Sequence, residues 1–303
     1  MATPVFLLAP PRSFTSVVNA MIGQHPELFG VPEFNLFNFS RVTGLWQTAS
    51  DQVGFKANRR HGLLRTLAEV LFAEQTDETI HAAAHWVAAR EDWSTSQIFA
   101  AIRDLVHPLG IVDKSPTYTM ESDRLYRIHE ACPDARFIHL VRHPIKQCES
   151  VMKLNYGVFA LFVNSIEYRA GRAYIEPQIA WHDMNVNIIT FLEDVVPPER
   201  HMRIRGESIM EHPKELLGEI CRWLGIRDDD EAIAEMMHPE RSPFACFGPI
   251  TALFGNDPNF LRKPQFRQHT PKLPPLDGPV SWRNDGKGLY PEVIQMAEMF
   301  GYQ

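Results

Sequence analysis

The sequence predicts an α/β fold, in which a central parallel sheet is flanked by helices. Short apolar runs alternate along the chain with amphipathic stretches, as parallel strands do with their crossover helices. Apolar residues make up 45% of the 303 residues, which is enough to bury a large core. Several apolar runs end in polar loops, and parallel sheets bind ligands at the carboxyl ends of their strands. We therefore expect a single domain over residues 1–303, with a binding site at one edge of the sheet.

The first strand is predicted at residues 6–9 and the first helix at residues 16–24. Residues 29–37 should then return the chain toward the sheet. Three further strands are predicted within the segments "LGIVDKSPTY", "ARFIHLVRHP" and "HMRIRGES", whose apolar runs are typical of buried parallel strands. Further helices are predicted at residues 122–133, 144–154, 176–193, 213–225 and 291–302.

Two segments depart from this alternation. Residues of about 40–110 contain "HGLLRTLAEVLF" and "HAAAHWVAAR", which have helical spacing, so we expect a mostly helical insertion there. Residues 239–279 are rich in proline and glycine and show little periodicity. We expect this irregular C-terminal region to wrap the surface or to form a lid.

Charge and cysteine content exclude several classes of function. The net charge of −7 argues against binding to nucleic acid or to an anionic membrane. The four cysteines show no C-x-x-C or metal-ligand spacing, which favours a reduced, cytoplasmic protein. The amino-terminal apolar run is too short for a signal peptide or a membrane span. Nothing in the sequence indicates an oligomeric state.

The loop after the first strand, "PPRSFTS", has the composition of an anion-binding site. Arg12, Ser13, Thr15 and Ser16 stand at a helix amino terminus, where free N–H groups and the helix dipole favour an anion. An ordinary capping loop with a surface arginine is the alternative. Phe14 stands where glycine is usual in such loops, so we expect its backbone to avoid positive φ.

A second candidate anion site follows a later strand. Arg142 stands at the end of that strand, and Ser150 lies about two turns into the next helix. An arginine fork with a serine hydroxyl suits a phosphate monoester. Alternatively, Arg142 forms a salt bridge and Ser150 is a neutral helix residue. Two such sites at the ends of parallel strands favour the ligand-binding interpretation.

These motifs resemble the sulfotransferases that use 3′-phosphoadenosine 5′-phosphosulfate (PAPS). In that family a P-R-S-G-T-[ST] loop binds the 5′-phosphosulfate, and a later Arg-x7-Ser binds the 3′-phosphate. "PRSFTS" and "RHPIKQCES" match these motifs, and the loop arginine resembles the bacterial and tyrosylprotein-type branch. The resemblance covers about residues 4–226 and implies a P-loop-like sheet. The PAPS-binding residues that it implies are Arg12, Ser13, Phe14, Thr15, Ser16, Arg142 and Ser150.

The resemblance also implies catalytic groups. Sulfuryl transfer needs cations beside the spreading negative charge and a base for the acceptor's proton. Arg12 and Lys114, the lysine of "DKSP", are the candidate cations, because the family places a lysine at a comparable strand end. Glu33 is the candidate base, because it follows the loop where tyrosylprotein sulfotransferases place their glutamate. The alternative for Lys114 is a surface loop lysine. The alternative for Glu33 is a carboxylate that caps a helix or pairs with a basic residue such as Arg12.

Other assignments remain open at this point. His139 and His143 are rival bases because histidine titrates in the right range, although His139 lies in an apolar strand. No histidine has metal-ligand spacing, so we expect no metal. A P-loop kinase or NTPase with Asp113 as magnesium ligand is one alternative function, and a non-catalytic nucleotide-binding protein is another. The predicted acceptor is a small molecule or a carrier-bound intermediate, which the sequence does not identify.

Overall fold

The computed structural model describes residues 3–46, 57–154 and 163–303. The strands are β1 Val5–Leu8, β2 Leu28–Gly30, β3 Gly110–Asp113, β4 Arg136–Val141, β5 Ile166–Arg169, β6 Arg172–Ile175 and β7 His201–Arg205. The helices of the first half are α1 Thr15–Gly23, α2 His61–Phe72, α3 Asp77–Ala88, α4 Thr95–Val106, α5 Ser122–Ala131 and α6 Pro144–Met152. The later helices are α7 Pro177–Val195, α8 Gly206–Glu211, α9 Pro213–Leu224, α10 Asp230–Met236, α11 Pro258–Arg262 and α12 Pro291–Met299.

The predicted fold class is confirmed. Strands β2, β3, β1, β4 and β7 form a parallel sheet in that order, flanked by helices. The chain moves from β1 to β2 and β3 on one side, and then crosses to β4 and β7 on the other. This change of direction makes a crevice beside β1 at the carboxyl edge of the sheet, where open parallel sheets bind ligands.

Both faces of the sheet are covered, which explains the continuous apolar runs. Phe6 and Leu8 of β1 lie in one buried cluster, together with side chains of α2 to α5. Val5 and Leu7 point to the opposite face and lie in a second cluster with α1 and α9. Because alternate residues of a strand face opposite sides, a strand buried on both faces is apolar at every position.

The insertion is helical as predicted where it is described, with α2 to α4 between β2 and β3. The part of this prediction that concerns residues 47–56 lies outside the described residues. The hairpin of β5 and β6 was not predicted, because its strands are largely exposed and carry no buried alternation. Among the described residues, none of the helices is both long and apolar enough to cross a membrane.

Candidate functional site

The loop between β1 and α1 has an unusual backbone. Arg12 and Phe14 both have left-handed conformations, with φ of 69° and 62°. The prediction that Phe14 avoids positive φ is therefore wrong. Such a conformation costs a residue other than glycine about 1–3 kcal/mol, and the surrounding structure must compensate. The Phe14 ring supplies packing, since it lies among the buried side chains of α1, α8 and α9.

The Phe14 ring fills the space in front of Gly206, the first residue of α8. A Cβ atom built on Gly206 would lie 2.6 Å from Cδ2 of Phe14, closer than van der Waals contact allows. Glycine at this position therefore lets the aromatic ring approach the backbone of the neighbouring strand end. The position of the Phe14 ring therefore requires glycine at residue 206.

We expect Gly206→Ala to lower the free energy of unfolding by about 1–3 kcal/mol, because the Phe14 ring must move aside. Denaturant unfolding measures this change. Gly218→Ala is the matched control, since Gly218 lies within α9 and its added methyl meets only a flexible arginine side chain. This control should be neutral or stabilising by up to about 1 kcal/mol. Equal effects of the two variants would contradict the packing argument.

The Arg142 guanidinium lies over the Phe14 ring, with Cζ 4.2 Å from the ring centroid. Its Nη1 donates to the backbone oxygen of Arg12, and its Nε is buried without a hydrogen-bond partner among the described residues. Arg142 makes no ion pair within the described ranges, and burial lowers the pKa of its guanidinium. The guanidinium nevertheless stays charged, so its charge is only partly compensated by the protein.

Helix α6, which follows Arg142, contacts the loop between β1 and α1. Arg12 Nε donates to Ser150 Oγ at 3.0 Å, and Gln147 Nε2 donates to the Pro11 oxygen at 2.7 Å. The structure therefore brings Arg142 and Ser150, predicted from one motif, beside the loop predicted from the other. In the same loop, Ser13 Oγ is buried and has no hydrogen-bond partner in the described chain.

Lys114 follows β3 and is fully buried. Its Nζ donates to Ser16 Oγ at 3.1 Å, to Glu33 Oε1 at 2.6 Å and to Asn256 Oδ1 at 3.3 Å. The surface alternative for Lys114 is therefore wrong. Glu33 does pair with a basic residue, as its alternative held, and its side chain keeps 28% of its surface exposed. The lysine thus joins the anion-binding loop to the candidate base.

Sequence reasoning missed the two residues that complete this arrangement. Asn256 contacts Lys114, and the Asp257 carboxylate forms an ion pair with the Arg12 guanidinium. Both belong to the irregular region predicted as a lid or wrapping segment. The backbone also holds this segment in place, since Glu33 N donates to the Gly255 oxygen at 2.7 Å. Because the segment has no periodicity, no sequence signal identified these two side chains.

The rival histidines are core residues. His139 Nε2 pairs with Asn185 Oδ1 at 2.9 Å, and burial lowers the pKa of His139 to about 3. Burial lowers the pKa of His143 to about 4, and its ring packs edge-on against Tyr302. Both rings are inaccessible to solvent. Glu33 is therefore better placed than either histidine to reach an incoming molecule.

The Asp113 carboxylate is buried and hydrogen-bonded within the core. Its two carboxylate oxygens accept hydrogen bonds from Ser115 Oγ at 3.0 Å and from Tyr118 OH at 2.8 Å. Burial raises the pKa of Asp113 to about 7 in spite of these bonds. Because both carboxylate oxygens already accept from side-chain hydroxyls and Asp113 is buried, a magnesium ion could bind it only by displacing these contacts. This observation argues against the kinase alternative.

The arrangement as a whole suits a ligand with several negative charges. Three cations, Arg12, Lys114 and Arg142, lie at adjacent strand ends beside the amino terminus of α1. No side chain among the described residues caps that helix, so its first N–H groups remain available as donors. The partly exposed Glu33 side chain adds a proton acceptor beside them. Phosphate or sulfate transfer is the chemistry that uses such a set.

Comparisons with known proteins agree with this geometry. A family model described as "Sulfotransferase family" matches residues 4–230. The fold is similar to a sulfotransferase domain from the curacin biosynthetic pathway, with a TM-score of 0.76 and 24% identity, over 100% of this chain and 99% of that one. The sulfotransferase domain of the Synechococcus PCC 7002 olefin synthase has a TM-score of 0.70 and 24% identity, over 100% of this chain and 97% of that one. A Mycobacterium avium sulfotransferase has a TM-score of 0.51 and 15% identity, over 100% of this chain and 78% of that one. No curated protein gives a significant match.

Proposed function

Since the chain belongs to the sulfotransferase family and is thus a transferase, we propose that it moves a sulfuryl group from PAPS to an acceptor hydroxyl or amine. One observation carries this proposal: the loop arginine, the Arg142–Ser150 pair and the Lys114–Glu33 pair meet at one edge of the sheet. Arg12, Lys114 and Arg142 follow β1, β3 and β4, Glu33 follows β2, and Ser150 lies in α6. Together these five residues supply both anion binding and a base.

The residues present fit a donor that carries a 5′-phosphosulfate and a 3′-phosphate. Ser13 Oγ and Arg142 Nε are buried polar atoms without partners in the described chain, and an anionic ligand would supply acceptors for this region. We assign the 5′-phosphosulfate to residues 12–16 and the 3′-phosphate to Arg142 and Ser150. Phe14 contributes to donor binding through its ring, which contacts the Arg142 guanidinium and helps to position it.

When bound, the donor supplies a sulfuryl group on a good leaving group, the 5′-phosphate. The chain's own residues then do the remaining work. Glu33 accepts the proton of the acceptor hydroxyl as the new oxygen–sulfur bond forms and the bond between sulfur and the 5′-phosphate oxygen breaks. Arg12 and Lys114 stabilise the negative charge on the transferred group and on the departing phosphate. To act as base, Glu33 must loosen its pairing with Lys114.

The acceptor side is formed by the helical insertion of about 40–110 and by residues 239–279, which act as a lid or wrapping segment. The contact of Asn256 and Asp257 with the catalytic cations supports this role for the second segment. We propose a small-molecule or carrier-bound acceptor. The origin of two similar structures, the curacin pathway and an olefin synthase, supports this class.

Incubation with labelled PAPS and a panel of hydroxyl and amine acceptors tests the proposal. We expect a sulfated product, and we expect it to form equally in EDTA because no step uses a metal. ATP turnover that EDTA abolishes would favour the kinase alternative instead. Thermal stabilisation by adenosine 3′,5′-bisphosphate without a product from any acceptor would favour a non-catalytic binding protein.

We expect Asp257→Asn to bind adenosine 3′,5′-bisphosphate roughly two- to fivefold more tightly, because Asp257 competes with the ligand for Arg12. Titration calorimetry measures this change. Asp277→Asn is the matched control, since it removes the same charge at an exposed position of the same region. Weaker binding by Asp257→Asn would contradict competition and would mean that Asp257 orients Arg12 for the ligand.

A further inference from the structure

Asn256 has a fixed orientation beside Lys114. The ammonium group can only donate, so the amide oxygen of Asn256 must face it, at the observed 3.3 Å. The Asn256 residue is almost fully buried, with 8% of its surface exposed. Asn256 therefore offers Lys114 a neutral acceptor in a place that water reaches poorly.

The Lys114 ammonium donates three hydrogen bonds, each to a different residue. Ser16 draws the ammonium toward the anion-binding loop, Glu33 draws it toward the candidate base, and Asn256 holds it from the third side. The contact with Glu33 is charged and is the shortest of the three, so it is the strongest. Without Asn256, one buried N–H of Lys114 would lose its acceptor, and the ammonium would move toward Glu33.

We propose that Asn256 is a positioning residue for sulfuryl transfer that acts through Lys114. It keeps the ammonium between the loop and Glu33, so that Lys114 reaches the transferred group and Glu33 is released to accept a proton. The inference rests on the proposed function and adds a residue from beyond the 4–230 region that matches the family.

Asn256→Ala should lower kcat about tenfold to a hundredfold while KM for PAPS changes less than threefold. The loss falls on kcat because donor binding depends mainly on Arg142, Ser150 and the loop, which Asn256 does not touch. Transfer of label from PAPS to 4-nitrophenol measures both constants. Asn256→Asp keeps an oxygen toward Lys114 and should recover part of kcat, with a raised KM because it adds negative charge.

Asn259→Ala is the matched control. Asn259 is an exposed residue three positions along the same segment, and its side-chain oxygen accepts from Arg262 at 3.4 Å. We expect wild-type kcat and KM for this variant. A loss of kcat equal to that of Asn256→Ala would overturn the proposal, because it would mean that any change in the segment disturbs the site.

A double-mutant cycle with Lys114→Met gives a readout that needs no acceptor. If Asn256 acts through Lys114, Asn256→Ala should lower the melting temperature of the wild-type chain but not that of Lys114→Met, and kcat should follow the same pattern. Additive effects in both measurements would overturn the positioning role alone. A wild-type chain that transfers label to no acceptor would overturn the proposed function, and the positioning role with it.

Discussion

Glu33→Gln should lower kcat roughly 10²–10⁴-fold, the contribution that a positioned general base makes to a proton transfer. Glutamine keeps the size of the side chain and an oxygen that can accept from Lys114 Nζ, so the contact at 2.6 Å can be kept. What glutamine removes is the ability to accept a proton from the acceptor. The affinity for adenosine 3′,5′-bisphosphate should not fall, since that ligand carries no acceptor proton to be removed. The loss of the carboxylate charge beside Lys114 should raise this affinity by no more than the two- to fivefold expected for Asp257→Asn.

Turnover of labelled PAPS and calorimetry with the bisphosphate separate these two effects. Glu74→Gln is the matched control, because Glu74 is an exposed carboxylate in the helical insertion and the change should leave kcat unaltered. Wild-type turnover by Glu33→Gln would contradict the base assignment. Another group would then have to accept the proton. The rival bases His139 and His143 could do so only if they became accessible, because both are buried.

The sheet and the loop residues could be predicted because their signals are local. The apolar run of β1, the hydroxyls that follow it and the start of α1 lie within a short stretch of sequence, so one motif describes them. The same holds for β4, Arg142 and Ser150. Parallel strands place their carboxyl ends at one edge, which brings separate motifs together without knowledge of the side-chain contacts.

The conformation of Phe14 could not be predicted, because its cause is distant in the sequence. Local sterics oppose a positive φ at phenylalanine, and that was the basis of the wrong prediction. The packing that compensates comes from Gly206 and Arg142, which follow other strands of the sheet. Asn256 and Asp257 escaped prediction for a similar reason, since only the folded chain places them beside Lys114 and Arg12.

Arg142→Met should weaken the binding of adenosine 3′,5′-bisphosphate by about 2–4 kcal/mol, which is roughly 30- to 1,000-fold. Methionine keeps an apolar side chain against the Phe14 ring, so the packing at 4.2 Å is largely preserved and the charge is lost. The affinity of Arg142→Lys should lie between those of the wild type and Arg142→Met, because an ammonium keeps the charge but cannot form the planar fork of a guanidinium. The affinity of the wild-type chain should also fall as salt is added, and that of Arg142→Met should fall less.

Arg222→Met controls for the loss of a positive charge anywhere on the chain. Arg222 is exposed on α9 and pairs with Asp228 at 3.4 Å, away from the loop and its ligands. Calorimetry at two salt concentrations should find its affinity for the bisphosphate within a factor of about two of the wild type. Unchanged affinity in Arg142→Met would remove Arg142 from the donor site. The protein alone would then hold its guanidinium, through the Phe14 ring and the electrostatic attraction of the Glu207 carboxylate.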